Sequence, residues 1–497
     1  MKSSKIEKFI VPACILLFNL LFWSEKMGLN ALLFTLVIIA VLLRKYKGGF
    51  TFPLIATTGG TLLAAVMVVL NNSDLSKVIL LLSSFVMAGF FHRTDLKFIG
   101  FSFLSSLRQI ISVPIQLGSD LLSNKVRGQS IQGAFSNYMV YGLIPTMVFG
   151  LFVMLYSTAN DKFADLVFDY IGMIFKPTTG FSLFSFDQVM FFLLSVFVTG
   201  VLLLKPIKER FGTLQASCTD NLKRNKGKEF YFSTGEFTTL ALKKEYQIGL
   251  IMMIALNVLL FVVNLTDIAY VWFNFEPMSP SELSKFVHDG TYILIISIFC
   301  AMAVLLYYFR GNINFLVGIK PLKYASLVWI IQNAILATSV GIRNYHYIRE
   351  YGLASKRIGV LVFLVLTVIG LLLMWVKIRD RKSLYFLLDR NAWAVYGMLI
   401  FLTLFNWDGL MTRYNLAVNS DKPLDTYYLT DKLSDKNLPL LLEHEALIKS
   451  RSVNANVVNY AIELKKARFL RMQTRYTLLS WNYRDWQVKR YLKSRDK

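Results

Sequence analysis

The chain has 497 residues, of which 55% are hydrophobic, 14% aromatic and only 17% charged. A water-soluble chain of this size carries about a quarter charged residues, so this composition, with a mean hydropathy of +0.50, excludes an ordinary soluble domain. The net charge of +23 does not read as a nucleic-acid surface: the basic residues flank apolar stretches, and no helix-turn-helix, zinc-finger or RNA-binding signature accompanies them.

Apolar stretches at 9–23, 27–43, 52–70, 75–91, 138–156, 189–204, 248–271, 291–308, 322–340, 358–376 and 391–405 are each roughly long enough to cross a bilayer as a helix. The expectation is an all-α polytopic membrane protein of about 11 transmembrane helices with a small external helical C-terminal tail. In chain order it comprises a four-span N-terminal region (1–97), a cytoplasmic interfacial segment (98–137), a seven-span core (138–405) with a cytoplasmic loop at 205–245, and the tail (406–497).

Lys2, Lys5 and Lys8 precede the first stretch, and Phe22, Trp23 and Glu25 follow it. No small-x-small site is present, so the stretch reads as a retained span rather than a cleaved signal. Lysine and arginine then set the orientation. The basic N-terminus is expected inside. So are Arg44, Lys45 and Lys47, the group His92, Arg93 and Lys97, and the loop 205–245 with its nine Lys or Arg. Acidic loops around Asp161, Asp165 and Asp169, and around Glu276, Glu282 and Asp289, suit the outside. An odd number of crossings puts the tail outside as well.

Three segments depart from the pattern. The stretch 98–118 is apolar but has Arg108 at its centre and Ser102, Ser105, Ser106 and Gln109 along one side. It reads as an amphipathic helix lying on the cytoplasmic face. Ser279-Pro280-Ser281-Glu282 has the form of a helix start. His288 and Asp289 on that helix are either an acid–base pair or part of a solvated lead-in to the next span. The loop 341–357 is expected outside, yet it carries Arg343, Arg349, Lys356 and Arg357 against Glu350. Either the span count is off by one, or a basic external patch is kept for anionic headgroups or glycan phosphates.

Inside the spans the noted polar groups are amides and hydroxyls: Asn19, Thr57, Thr58, Asn257, Asn264, Gln332 and Asn333. Asp187 and Asp389 stand at span edges. This sparsity disfavours a carboxylate-driven transporter and suits interhelical hydrogen bonding. Cys14, Cys218 and Cys300 have no disulfide or metal spacing, and His92, His288, His346 and His444 are scattered. No metal site and no cofactor is expected, and no P-loop, GxSxG, HExxH or GxGxxG motif occurs. In the tail, 438–447 and 457–470 have helical spacing. The basic, aromatic end (Arg471, Arg475, Tyr476, Trp481, Tyr483, Arg484, Trp486, Lys489, Arg490, Tyr491) suits either a membrane interface or a packed core.

The segment Arg343-Asn-Tyr345-His-Tyr347-Ile-Arg-Glu-Tyr351-Gly352-Leu353, followed by Arg357, resembles the R-x-Y-x-Y-x3-Y-G-L-x3-R pattern of a broad family of bacterial integral-membrane proteins catalogued as a domain of unknown function. Asn406-Trp-Asp408-Gly-Leu-Met-Thr-Arg413-Tyr414-Asn415 is similar to its N-x-D-x4-R-Y-N segment. Leu424-Asp425-Thr-Tyr-Tyr428-Leu429 is similar to its L-D-x-x-Y-L element, with Tyr427 where an aspartate is common. Arg349 stands where the family often has an acidic residue. The resemblance implies a multi-pass bacterial inner-membrane protein with an external tail, and it implies no activity.

Arg343, Tyr345, Tyr347, Tyr351, Arg357, Asp408, Arg413, Tyr414 and Asn415 are therefore the candidate docking or ligand-binding residues. Asp408 is expected to pair with Arg343 or Arg357, and Arg413 to stack on Tyr345 or Tyr347. Gly352 is expected at positive φ in a tight turn. Three functions remain open: a non-enzymatic envelope scaffold or partner-binding subunit, a transporter of a lipid or small solute, and an enzyme on lipid-linked envelope substrates. Membrane lipids are the expected partners, with a protein partner on the tail and no nucleic acid.

Overall fold

The structure, a computed structural model, describes residues 5–122, 160, 162–163, 165–166, 186–205, 211–224, 239–273, 280–418, 424–452 and 454–495. The fifth apolar stretch (138–156) and most of the acidic loop after it lie outside the described residues. Among those described the fold is helical and holds no strand, only an isolated bridge between Asn221 and Lys382. The helices are α1 (Lys5–Phe22), α2 (Leu29–Lys45), α3 (Phe52–Leu70), α4 (Asp74–His92), α5 (Ile99–Leu122), α6 (Phe186–Leu203), α7 (Phe211–Ser217), α8 (Thr239–Asp267), α9 (Pro280–Tyr308), α10 (Lys320–Tyr351), α11 (Ser355–Arg379), α12 (Leu384–Thr403) and α13 (Trp407–Ala417). The tail adds α14 (Leu438–Glu443), α15 (Glu445–Ser450), α16 (Ala455–Gln473) and α17 (Tyr483–Arg495).

Among the described residues five helices are long and apolar enough to cross a membrane: α3, α4, α10, α11, and α8 taken with its continuation to Phe273. α12 and α13, bent by 69° at their junction, make a sixth if taken as one span. Shorter apolar helices lie at Phe9–Phe22, Met190–Leu203 and Ile293–Tyr308. Among the described residues the expected count of about 11 is therefore not confirmed: several stretches form apolar helices shorter than a span, and 138–156 lies outside the described residues.

Local chemistry sets the helix ends. Ser73 caps α4 by accepting a bond from the Ser76 amide, and Ser383 does the same for α12 from Phe386. α9 begins at Pro280, where the missing N–H costs nothing. α10 has a proline in its first turn and stops at Gly352.

Two compact units divide the chain. The first holds residues 1–215 with 475–486. In it Thr61 and Ser83 join α3 to α4 through their hydroxyls at 2.7 Å, and Asn19 reaches Ser195 from α1 to α6 at 2.7 Å. The serine side of α5 was expected to face water; it is buried instead. Ser102 donates to the Val86 carbonyl at 2.7 Å and Ser106 to the Phe85 carbonyl at 2.6 Å. Each hydroxyl satisfies itself on a carbonyl of α4, and Gly89 leaves room for that approach.

The turn between α1 and α2 is folded by Asn30, which is fully buried. Its amide donates to the carbonyls of Leu21 (2.8 Å) and Lys26 (2.9 Å) and accepts from the Gly28 and Ala31 N–H groups. Onto this turn packs the chain segment 475–486. The Ser480 hydroxyl bonds to the Glu25 carboxylate, the Thr477 N–H donates to the same carboxylate at 3.2 Å, and the Leu29 N–H donates to the Trp481 carbonyl at 2.9 Å. Lys26 lies 4.8 Å from the centroid of the Tyr476 ring.

The second unit holds 216–474 with 487–497. α8 and α10 run parallel and are joined by a polar seam. Opposite that seam, α8 exposes Ile251, Ile254, Val258, Phe261 and Leu265 as one apolar stripe. That is the inverse of a soluble helix, and it is the pattern lipid demands. The tail has its own core, in which Met411, Leu429, Leu438, Leu441, Ile462, Phe469, Val488 and Leu492 pack on Ile348 and Leu353 at the end of α10.

Candidate docking and ligand site

The site is built where α10 ends. Gly352 has φ +79° and ψ −176°, a combination that is cheap only for glycine, and its N–H closes the helix on the Ile348 carbonyl at 2.8 Å. The chain then turns into α11. Asn415, one turn from the end of α13, meets this turn edge-on. Its side-chain oxygen accepts from the Leu353 N–H at 2.5 Å and its amide donates to the Leu353 carbonyl at 2.9 Å. One side chain thereby saturates both backbone groups of Leu353, as a paired strand would. A Cβ on Gly352 would overlap the Asn415 oxygen.

Arg357, in the first turn of α11, folds back over the end of α10. It donates to the carbonyls of Tyr351 (2.9 Å) and Gly352, and it lies over the Tyr347 ring at 4.3 Å. The Tyr347 and Tyr351 rings are 4.8 Å apart. A guanidinium at a helix C-terminus meets the negative end of the helix dipole as well as two orphan carbonyls. Arg451 does the same for α13 through the carbonyls of Leu416 and Val418, both at 3.2 Å.

The third motif completes the junction. Asp425 accepts the Tyr428 N–H at 3.0 Å and so starts a turn of π-helix, Tyr428–Lys432. The Tyr428 hydroxyl accepts the Ser355 N–H at 2.9 Å. Tyr351, Gly352, Arg357, Asn415, Asp425 and Arg451 are among the residues lining a pocket of about 130 Å³ at this point. That volume admits a few waters or a small headgroup fragment.

The structure corrects two expected pairings. Arg343 does not pair with Asp408. It turns into the helix bundle, where its guanidinium donates to Asp267 at 2.6 Å, and both side chains are about nine-tenths buried. Asp408 accepts from the Ser434 hydroxyl instead. Arg413 does not stack on Tyr345 or Tyr347; it is exposed and has no partner among the described residues. Arg357, folded back over the end of α10, takes the ring of Tyr347. Tyr345 is exposed beside His346, and Tyr414 packs on the tail core.

Two groups escaped the sequence reading. Asp267 lies inside an apolar stretch, and its signal was positional: Asn257, Asn264 and Val271 recur every seven residues, as do Ala325, Gln332, Ser339 and His346. Lys465 lies in α16 and is 1% exposed; its ammonium donates to the carbonyls of Leu429 (3.1 Å) and Leu433 (3.0 Å). Burial pushes its pKa down to about 8, against the pull of Asp435, Asp408 and Asp431. An isolated lysine in an amphipathic helix gives no warning of this. Among the described residues no cluster of His, Cys, Asp or Glu has the makings of a metal site.

A family model described as Domain of unknown function (DUF4153) matches residues 13–444. No curated protein and no solved structure matches the chain.

Proposed function

The chain belongs to the family described as Domain of unknown function (DUF4153), and we propose that it is a multi-pass bacterial inner-membrane protein whose docked tail is a rigid external platform for a protein partner. The carrying observation is the Asn415–Leu353 lock. Asn415, Arg357, Asp425 and Tyr428 spend their polar atoms on a helix end, on the π-turn and on the turn after α10, which is what an internal docking surface requires and what an open catalytic site avoids.

Orientation follows from charge. Arg310, Lys320 and Lys323 flank one end of α9 and α10, and Lys377, Arg379, Arg381 and Lys382 flank the matching end of α11. The tail packs at the opposite end of α10. With the basic end inside, the tail faces out. The functional alternatives, a transporter of a lipid or small solute and an enzyme on lipid-linked substrates, have less support at this junction. Arg343 and Arg357 are each engaged within the chain, and Arg413 and Lys356 remain as exposed cations for a headgroup.

A proximity-labelling enzyme fused after Lys497 tests both parts. In the wild type it should label proteins of the external compartment, and Asn415→Leu, which undocks the tail, should lose a discrete subset. Labelling of cytoplasmic proteins overturns the orientation. Identical label sets in the two proteins overturn the platform.

A further inference from the structure

The short turn between α11 and α12 gathers positive charge that its own chain does not neutralise. Lys323, in the first turn of α10, donates to the Arg379 carbonyl at 3.2 Å. Arg381 lies close enough for its charge to act on that ammonium. Asp380 also bears on Lys323, but both of its oxygens are held by the Arg379 guanidinium, at 2.8 and 2.9 Å. From the other side the segment 219–222 pairs with the turn. The Leu222 N–H donates to the Arg381 carbonyl and the Ser383 N–H to the Asp220 carbonyl, each at 2.9 Å. Lys382 donates to the Asn221 side-chain oxygen, a neutral acceptor, at 2.7 Å. Next along that segment come Lys223 and Arg224, both exposed, and Lys320 is exposed one helical turn before Lys323. The salt bridges at this end belong to Arg310, Arg379 and Arg390. Among the described residues Lys223, Arg224, Lys320, Lys323, Arg381 and Lys382 take part in none.

The inside bias of basic residues calls for cationic loops, not for cations that converge on one turn. Here they converge against a cost. Arg381 has φ +53°, a left-handed conformation that is unfavourable for a residue with a Cβ. The fold therefore holds this cation in place against backbone strain as well as against like-charged neighbours. Beneath the charge lies a surface shaped for lipid. Lys320 heads an exposed stripe of α10 that continues through Tyr324, Val328 and Ile331, all on one helix face. At 1.5 Å per residue the stripe is about 16 Å long, roughly half of a 30 Å hydrocarbon layer. A cation, then a phenol, then aliphatic carbon repeats the polarity of a phospholipid from its phosphate through its glycerol to its acyl chain. Arg381 lies over the Phe315 ring at 5.3 Å and Lys382 over Phe386 at 5.7 Å, so aromatic faces stand at the same level.

We propose that Lys320 and Lys323 at the start of α10, with Arg381 and Lys382 in the turn before α12, form a binding site for a phospholipid whose headgroup carries two phosphodiesters, of which cardiolipin is the probe. Basic pockets between membrane helices take such headgroups. A single phosphodiester brings one negative charge and leaves most of this cluster unanswered. Two joined phosphodiesters reach both sides of it, the lysines of α10 on one and the turn on the other. Lys223 and Arg224 add a sequence-independent attraction at the rim. The acyl chains lie along the Tyr324, Val328 and Ile331 face. This site is at the opposite end of α10 from the docked tail. It does not depend on the platform reading, and either can fail without the other.

The test is titration of the full-length protein in detergent with cardiolipin, phosphatidylglycerol or phosphatidylethanolamine of matched acyl chains, with bound lipid read by native mass spectrometry. Cardiolipin should bind about tenfold more tightly than phosphatidylglycerol, and phosphatidylethanolamine should not saturate. Lys323→Gln combined with Arg381→Gln should weaken cardiolipin about thirtyfold, and Arg381→Gly about fivefold, from the usual contribution of each membrane-surface cation. Glycine suits φ +53°, so Arg381→Gly decides the matter should the double variant not fold. Arg468→Gln combined with Arg471→Gln removes the same charge from exposed positions of α16 and should leave the titration unchanged. No preference for cardiolipin over phosphatidylglycerol, an equal loss in the α16 variant, or an unchanged cardiolipin titration in Arg381→Gly would each overturn the site. Inorganic pyrophosphate binding as tightly as cardiolipin would overturn the lipid as its occupant.

Discussion

Gly352→Ala is the most informative single substitution for the tail junction. At φ +79° and ψ −176° the backbone sits in a region open to glycine alone, and an alanine there costs about 1–3 kcal/mol. Its Cβ would also overlap the Asn415 oxygen, so that side chain must leave. That forfeits its bonds to Leu353 N–H at 2.5 Å and Leu353 carbonyl at 2.9 Å, worth roughly 1 kcal/mol each. Together these give about 3–5 kcal/mol. Asn415→Ala alone loses only the bonds, about 2 kcal/mol. Because Gly352→Ala already expels Asn415, the double variant should cost little more than Gly352→Ala, a coupling of about 2 kcal/mol. The assay is denaturant-dependent trypsin protection of the tail, whose buried Lys465 becomes a cleavage site only when the tail opens. Additive costs in the cycle, or a cost below about 1 kcal/mol for Gly352→Ala, would refute the argument.

Two predictions concern pH. Lys465 is depressed to about 8 in the folded tail against about 10.4 for a free lysine. Between these values the unfolded tail binds a proton that the folded one does not, so tail stability should rise with pH across that window and be flat below it. Lys465→Met should erase the rise without weakening the tail at pH 7, read by the same protection assay; a rise that persists in the variant refutes the assignment. At Glu25, burial raises the carboxyl pKa, but hydrogen bonds from Ser480 and Thr477 outweigh it and hold the value below 4.5. The docking of 475–486 is then complete above the ordinary carboxylate value and lost as pH falls through the lower folded one. Hydrogen exchange of that segment, corrected for intrinsic rates, should show the loss in the wild type, and Glu25→Gln should show exchange that no longer varies with pH.

What the sequence disclosed was local, and what it hid was pairwise over distance. Helical apolar stretches, the start of α9 at Pro280 and the left-handed turn at Gly352 each depend on a few adjacent residues, so they are legible from them. The meeting of the first two motifs was also foreseeable in outline, since Arg343–Arg357 and Asn406–Asn415 both follow apolar stretches; the part played by Asp425 and Tyr428 was not. Which arginine meets which carboxylate was not. Arg343 finds Asp267 across two helices because the sevenfold recurrence of Asn257, Asn264 and Val271 against Ala325, Gln332 and Ser339 fixes the rotation of both. Asp408 loses Arg343 for that reason and accepts from Ser434. The side of α5 that looked fit for water is a packing face, because serine hydroxyls can be spent on carbonyls of a neighbouring helix, and sequence alone does not say whether such a neighbour exists.

The bond from Thr477 to Glu25 spans 452 positions, and this separation bears on how the protein is made. At a ribosomal rate of about 5–20 residues per second, the turn between α1 and α2 emerges some 20–90 s before the segment that covers it. During that interval the Glu25 carboxylate and the main-chain groups of residues 26–29 remain without their eventual contacts, while the helices on either side are already being inserted. The first unit is therefore completed only after most of the second has been made, by residues 475–486. A factor that shields this turn early would act on a nascent chain whose membrane segments are nearly all in place but whose first fold is still open.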